Sequence, residues 1–220
     1  MRAMILAAGR GERLSPLTDR IPKPLLPIAG EALIVHQLRW LARAGIKDIV
    51  INLHHLGEQI ERALGNGRDE GVRISYSHEA ERLETGGGIR KALPLLGDAP
   101  FVILNGDIWT DFDFKALPQS PPGHNLAHLV LTATPANRDE GDFDLTEHGV
   151  TREAHKPLVY CGIAVLRPAL FERSPDGAFS LRDLYFSAIA AGRVSGQRFA
   201  GRWIDIGSPE TLKAVRRITD

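Results

Sequence analysis

Two rhythms of apolar and polar positions alternate along the first half of this chain. Ala3–Ala7 is a short continuous apolar run and predicts a buried strand. Leu33–Ala44 repeats apolar residues at helical spacing, with Ile34, Leu38, Leu41 and Ala42 on one face, and stops at Gly45. The same reading predicts a strand over Asp48–Leu53, a helix over Leu56–Leu64 and a strand over Val72–Ser77. The turn Gly86–Gly88 then opens a helix that runs through Leu96, and Phe101–Leu104 follows as a buried strand. Strand and helix in alternation specify an α/β fold: a three-layer sandwich whose mainly parallel mixed sheet carries helices on both faces.

The second half is less regular. Leu126–Thr134 and Leu158–Leu166 read as strands, and Ser180–Ala191 as a helix. Val194–Phe199 and Arg202–Ile206 read as two strands paired with each other. The polar stretch 135–155 predicts a small hairpin or lid. A last helix is capped by Ser208, with Pro209 at its first position and Glu210 in its first turn. No internal repeat, linker or low-complexity segment interrupts the chain, so residues 1–220 read as one domain of a size that supports one core.

Composition removes several functions. Lysine plus arginine number 27, as do aspartate plus glutamate. With no net charge, neither nucleic acid nor an anionic membrane surface is an expected partner. The single Cys161 excludes an internal disulfide. The apolar start Met1–Ala8 is too short for a secretory leader, and Arg10, Glu12 and Arg13 follow at once. Both features point to a reducing cytoplasm. No apolar stretch approaches the roughly 20 residues that span a bilayer. A monomer or small homo-oligomer is the expected state.

The candidate chemistry begins where the first strand ends. Ala8, Gly9 and Gly11 form a glycine-rich turn leading through Glu12 to Arg13, and Lys23 follows between Pro22 and Pro24. Glycines let backbone N–H groups approach a phosphate closely. The prolines stiffen the segment that carries Lys23. A P-loop would need Gly-Lys-Ser/Thr where the chain reads Leu14-Ser15-Pro16, and the dinucleotide fingerprint would need glycine at Leu14. The pattern instead suits a polyphosphate held by two fixed cations. Asp107 and Asp205 each follow an apolar strand, at the sheet edge where α/β proteins bind ligands. They suit Mg²⁺, which takes one or two carboxylates plus phosphate oxygens, or a turn or cap. Asp111-Phe112-Asp113 is a competing D-x-D metal motif of the kind glycosyltransferases use.

The run from Leu6 to Pro27 resembles the signature of the sugar-1-phosphate nucleotidylyltransferases, and later segments match in order over nearly the whole chain. The Ala7-Ala8-Gly9 opening with Glu12 is most similar to the branch acting on N-acetylmuramate 1-phosphate with UTP, or on mannose 1-phosphate with GTP. The resemblance implies a Rossmann-like nucleotidyltransferase fold of the GT-A type, without the C-terminal β-helix domain of some relatives. It implies Arg13 and Lys23 as catalytic cations on the triphosphate, and Asp107 and Asp205 as Mg²⁺ ligands. Glu81-Arg-Leu-Glu-Thr-Gly-Gly-Gly88 resembles the Glu-x-Leu-Gly-Thr-Ala-Gly base-binding loop, departing at Glu84 and Gly86. It implies Glu81, Gly86 and Gly87 at the nucleobase, and the departures favour the uridylyl branch. Asn105 is expected at the sugar phosphate, with Gly162 of Tyr160-Cys-Gly-Ile163 beside it. Among the acidic residues of the polar stretch, Asp142 and Glu153 are the ones expected to reach the sugar. The expected substrates are UTP and a sugar 1-phosphate, with N-acetylmuramate α-1-phosphate first, giving a role in cell-wall recycling.

Overall fold

A computed structural model describes residues 1–136, 138–152 and 156–219, so Glu153 lies outside the described residues. In chain order the elements are β1 (Arg2–Leu6), β2 (Pro27–Ile28), β3 (Glu31–Ala32), α1 (Leu33–Arg43), β4 (Asp48–Leu53), α2 (Gly57–Leu64), β5 (Arg73–His78) and α3 (Glu84–Leu96). They continue with β6 (Phe101–Asn105), β7 (Ile108–Thr110), β8 (Ala127–Ala133), β9 (Asp144–Thr146), β10 (Gly149–Thr151), β11 (Leu158–Leu166), α4 (Leu181–Ala190), β12 (Val194–Phe199), β13 (Trp203–Asp205) and α5 (Pro209–Thr219). Seven strands form one sheet in the order β12-β8-β11-β6-β1-β4-β5. Its neighbours are parallel except around β11, which runs antiparallel to both β6 and β8.

The alternation of side chains along each strand divides the core into two layers. Ala3, Ile5, Ile49, Ile51, Val102 and Leu104 point to one face, where Ile34, Leu38 and Leu41 of α1 and Ile60 of α2 cover them. Met4, Val50, Phe101 and Ile103 point to the other, against Ile89 and Ala92 of α3 and Tyr185 and Ala188 of α4. Central strands buried on both faces need apolar residues at every position, hence the unbroken runs in the sequence. A third, smaller cluster joins Leu14, Leu26 and Ile28 to Ile206, Leu212 and Val215. It fastens the segment bearing Arg13 and Lys23 to α5 and to the strand end bearing Asp205.

Two expectations are corrected. The strands β12 and β13 do not pair with each other: β12 adds parallel to β8, and β13 runs antiparallel to β7. Where β13 meets β7, the Asp111 carboxylate accepts from the Arg202 backbone N–H at 2.7 Å and from Arg202 Nε at 3.0 Å, and Trp203 Nε1 donates to the Cys161 carbonyl. The triple glycine is also not a turn before the helix but part of the first turns of α3. A Cβ on Gly86 would overlap the Phe179 ring, and one on Gly87 the Gly177 carbonyl. These glycines let α3 close onto the loop before α4. Gly86→Ala is accordingly expected to lower stability by about 1–3 kcal/mol, as overpacking does. Thermal melting checks it, and an unchanged midpoint would remove the packing argument.

Candidate active site

The carboxyl ends of β1, β4, β5 and β6 open onto a continuous set of clefts. The widest, about 430 Å³, is lined by Gly9, Gly11, Glu12, Arg13, Lys23, Asp107 and Gly207 among others. Here the two cations expected from the opening loop meet the first expected metal aspartate. Lys23 is buried, and its Nζ donates to Asp107 Oδ2 at 2.6 Å. Arg13 lies against Gly207: a Cβ there would sit 2.6 Å from its guanidinium. The glycine loop is braced from behind. Thr18 Oγ1 donates to the Gly11 carbonyl at 2.9 Å, and a ring nitrogen of His55 bonds the Thr18 carbonyl at 3.0 Å.

Asp205 reaches the same place by strand pairing. The β7–β13 ladder sets it opposite Ile108, and the Ile206 N–H donates to the Asp107 carbonyl at 2.9 Å. Trp203 Nε1 anchors β13 to the Cys161 carbonyl at 2.8 Å. Burial first, and then repulsion from Asp107, pushes the Asp205 carboxyl above the usual carboxylate range, against the pull of Lys23, Arg13 and Arg138. Its Oδ1 is buried with no hydrogen-bond partner among the described residues. An orphaned carboxylate oxygen beside a second carboxylate is an unfavourable arrangement that a cation would relieve. Among the described residues no group of three His, Cys, Asp or Glu side chains could hold a metal. A metal ion here would therefore take further oxygens from a bound phosphate, as Mg²⁺ does.

A second cleft, about 170 Å³, adjoins the first at Gly9, Arg82 and Asp107. Ala8 lines it, with Asn52, Glu79, Glu84 and Thr85. The Asn52 side chain accepts from the Ala7 N–H at 2.9 Å and donates to Glu79 at 2.7 Å, and Glu79 accepts from the Leu83 N–H at 3.2 Å. Glu81, Gly86 and Gly87, expected at the nucleobase, line none of these clefts. Glu81 is exposed, and the glycines are spent on the packing of α3. Glu79, Arg82, Glu84 and Thr85 are the residues of this segment that line the second cleft. Glu84 stands where the family loop has glycine and keeps a left-handed φ of 58°. Asn52 and Glu79 were missed in the sequence. Each sits at the carboxyl end of a parallel strand, the same signal that marked Asp107.

A third cleft, about 350 Å³, meets the second at Asn105 and Thr85 and holds Asp142, Phe143, Arg152, Lys156, Tyr160, Arg182 and Phe186. Asn105 therefore stands between the two. Gly162 does not line the cleft. It holds φ 72° in the bulge of β11, where a Cβ would lie 2.9 Å from the Asn105 side chain, so it fixes Asn105 from behind. Asp142 accepts from the Tyr160 N–H at 3.1 Å and from Arg138 at 3.0 Å. Glu12 faces Arg82 across the first cleft at 3.8 Å.

The D-x-D pair lies elsewhere. Asp111 is committed to Arg202, and Asp113 caps the Lys115 N–H at 3.0 Å; both face a separate groove with Trp40 and Trp109. A glycosyltransferase metal centre on these residues is thereby set aside.

Comparison with known proteins agrees with this geometry. A family model described as nucleotidyl transferase matches residues 2–156. The N-acetylmuramate α-1-phosphate uridylyltransferase of Neisseria meningitidis is 46% identical, covering 99% of this chain and 98% of that one. The protein of the same description from Caulobacter vibrioides is 37% identical, over 99% and 97%. In fold, a putative glucose-1-phosphate thymidylyltransferase of Bacillus anthracis superposes with a TM-score of 0.85, covering 100% of this chain and 95% of that one at 22% identity. A family match over most of the chain, with near end-to-end relatives, settles the assignment: this chain belongs to the nucleotidyl transferase family, among the sugar-1-phosphate nucleotidylyltransferases.

Proposed function

We propose that the chain transfers a uridylyl group from UTP to N-acetylmuramate α-1-phosphate, with Mg²⁺, forming UDP-N-acetylmuramate and pyrophosphate. The observation that carries the reaction type is that Arg13, Lys23 and Asp107 line one cleft, with the buried Asp205 carboxyl behind it close enough to feel the charge of all three. The choice of substrates rests on the end-to-end relatives.

The chemistry demands little proton transfer. A phosphate monoester has its second pKa near ~6, so the attacking sugar phosphate is already mostly dianionic at pH 7. One of its oxygens bonds to the α-phosphorus as the bond to the bridging oxygen toward the β-phosphorus breaks, and pyrophosphate leaves. No general base is required. The barrier is repulsion between two anions, so catalysis is alignment plus charge neutralisation. Arg13 and the backbone of Gly9–Gly11 hold the phosphates that leave. Lys23, held by its ion pair with Asp107, meets charge at the reacting phosphorus. Asn105 positions the incoming sugar phosphate. Asp107 and Asp205 would hold Mg²⁺, which supplies Lewis-acid neutralisation of phosphate charge when bound.

The proposed setting is the cytoplasm, in reuse of cell-wall sugar. Burial pushes the Cys161 thiol up to about 12, which suits an inert cysteine in a reducing compartment. Among the described residues no helix is long and apolar enough to cross a membrane.

Pyrophosphate release from a matrix of four nucleoside triphosphates and several sugar 1-phosphates tests the proposal. UTP with N-acetylmuramate α-1-phosphate is expected to give the highest kcat/KM. A higher value for GTP with mannose 1-phosphate would overturn it.

A further inference from the structure

Among the described residues, the third cleft is lined by three cations, Arg152, Lys156 and Arg182, and one acid, Asp142. Lys156 is paired with Glu140 at 2.9 Å, and Asp142 with Arg138 at 3.0 Å. That leaves Arg152 and Arg182. The nearest carboxylate to Arg182 is the exposed neighbour Asp183, at 4.0 Å. Arg152 makes no ion pair among the described residues. Both guanidinium groups are instead gathered around one ring: Cζ of Arg152 lies 3.2 Å from the Phe186 centroid, and Cζ of Arg182 lies 5.7 Å from it.

Like charges brought together repel. Both side chains are exposed, Arg182 to 70%, so solvent screens most of their mutual repulsion and leaves their donors open to a ligand. Arg182 also sits in the first turn of α4, where the helix dipole disfavours a cation. Cation–π stacking on Phe186 holds the pair in place but does not cancel its charge. An anion entering the cleft would do so, and the planar donors of arginine match a carboxylate in two-point geometry. The 1-phosphate is not that anion, because the reaction requires it near Lys23 and Asp107 in the first cleft. The occupant must be a second anionic group on the sugar itself.

We infer that Arg152 and Arg182, steadied by Phe186, form a carboxylate clamp that selects an amino sugar bearing an acidic ether arm over the same sugar without it. This rests on the substrate assignment above, in which the sugar carries a lactyl carboxylate. Phe143 and Phe186 give the methyl groups of such a sugar an apolar wall. The clamp contributes to sugar affinity and selectivity and takes no part in the bond-making step.

The test compares three acceptors with UTP: N-acetylmuramate α-1-phosphate, its neutral lactyl methyl ester, and N-acetylglucosamine α-1-phosphate. In the wild-type protein the acid is expected to exceed the ester in kcat/KM by about 10²-fold, the loss of one charged partner. Arg152→Met and Arg182→Met, which keep the aliphatic cover of Phe186, are each expected to reduce the preference for the acid over the ester at least about tenfold, chiefly through KM. Arg152→Lys is expected to recover part of it, keeping the charge without the fork. An unchanged acid-to-ester ratio in both methionine variants, or an equal fall for all three acceptors, would overturn the clamp. The wild-type row alone tests the substrate assignment. Should that row favour an acceptor without a carboxylate, the assignment and the clamp fall together. Should it favour the acid while the variants keep the ratio, only the clamp falls.

Discussion

Replacing Lys23 with methionine lowers turnover by about 10²–10³-fold, on the order of 3–4 kcal/mol of transition-state stabilisation, the cost of losing one preorganised donor. The side chain is buried and its ammonium is fixed by Asp107 at 2.6 Å. It meets the developing charge in place, with little rotamer entropy left to lose. Methionine keeps the length and the packing, so the fold should survive, although Asp107 loses its partner and the melting point falls modestly. Single-turnover kinetics with saturating UTP and sugar phosphate read the loss in kcat rather than in KM. Near-normal turnover in a folded Lys23→Met protein would remove this lysine from the reaction. Lys23→Arg should recover little, because a planar fork does not replace a compact ammonium in a buried slot.

Asp205→Asn gives two effects of opposite sign. Activity falls by at least about 10²-fold, since a ligand for the metal is lost. Stability of the metal-free protein rises, by on the order of 1 kcal/mol, because a neutral isostere relieves an active site whose charges repel. The pH dependence follows from the sign of the shift. The Asp205 carboxyl is raised in the folded state by burial and by Asp107. The folded protein therefore holds this proton more tightly than the unfolded chain, and wild-type stability falls as pH rises from the unfolded value through the folded one. The advantage of the asparagine variant is thus fully present above the folded pKa of Asp205 and fades as pH drops toward the ordinary carboxylate range. Excess magnesium chloride should reverse the order, stabilising the wild type by linkage and the variant much less. Melting curves with and without magnesium at two pH values check this independently of turnover. A wild-type protein insensitive to magnesium, or a variant less stable without it, would sink the paired-carboxylate site.

The legible parts of this site were those encoded by local chemistry. Gly9, Gly11, Arg13, Lys23 and Asp107 lie in or beside segments whose residue types restrict the backbone, and they line one cleft. Asn105 was readable because the end of a buried strand has a fixed place in an α/β sheet. Glu81, Gly86 and Gly87 line none of the three clefts. A run of glycines permits close approach without naming the visitor, and here Phe179 and Gly177 occupy that space. Asn52 and Glu79 carry the same strand-end position as Asn105 and Asp107, but no neighbouring glycine or motif sets them apart from other polar residues in the sequence. Arg152 and Arg182 come from a hairpin and a helix far apart in sequence, and their meeting at Phe186 follows from no spacing.

The sequence by itself determined the layered α/β architecture, because apolar periodicity is a local property of each segment. It also determined the phosphate-holding character of the opening loop, because glycine and proline act on their own backbone. The tertiary structure alone decided that β13 leaves its sequence neighbour to pair with β7, which sets Asp205 beside Asp107. It alone decided which glycines face helix packing and which cations gather around Phe186 in the third cleft. Pairing and neutralisation depend on what arrives from distant parts of the chain, and only packing brings those parts together.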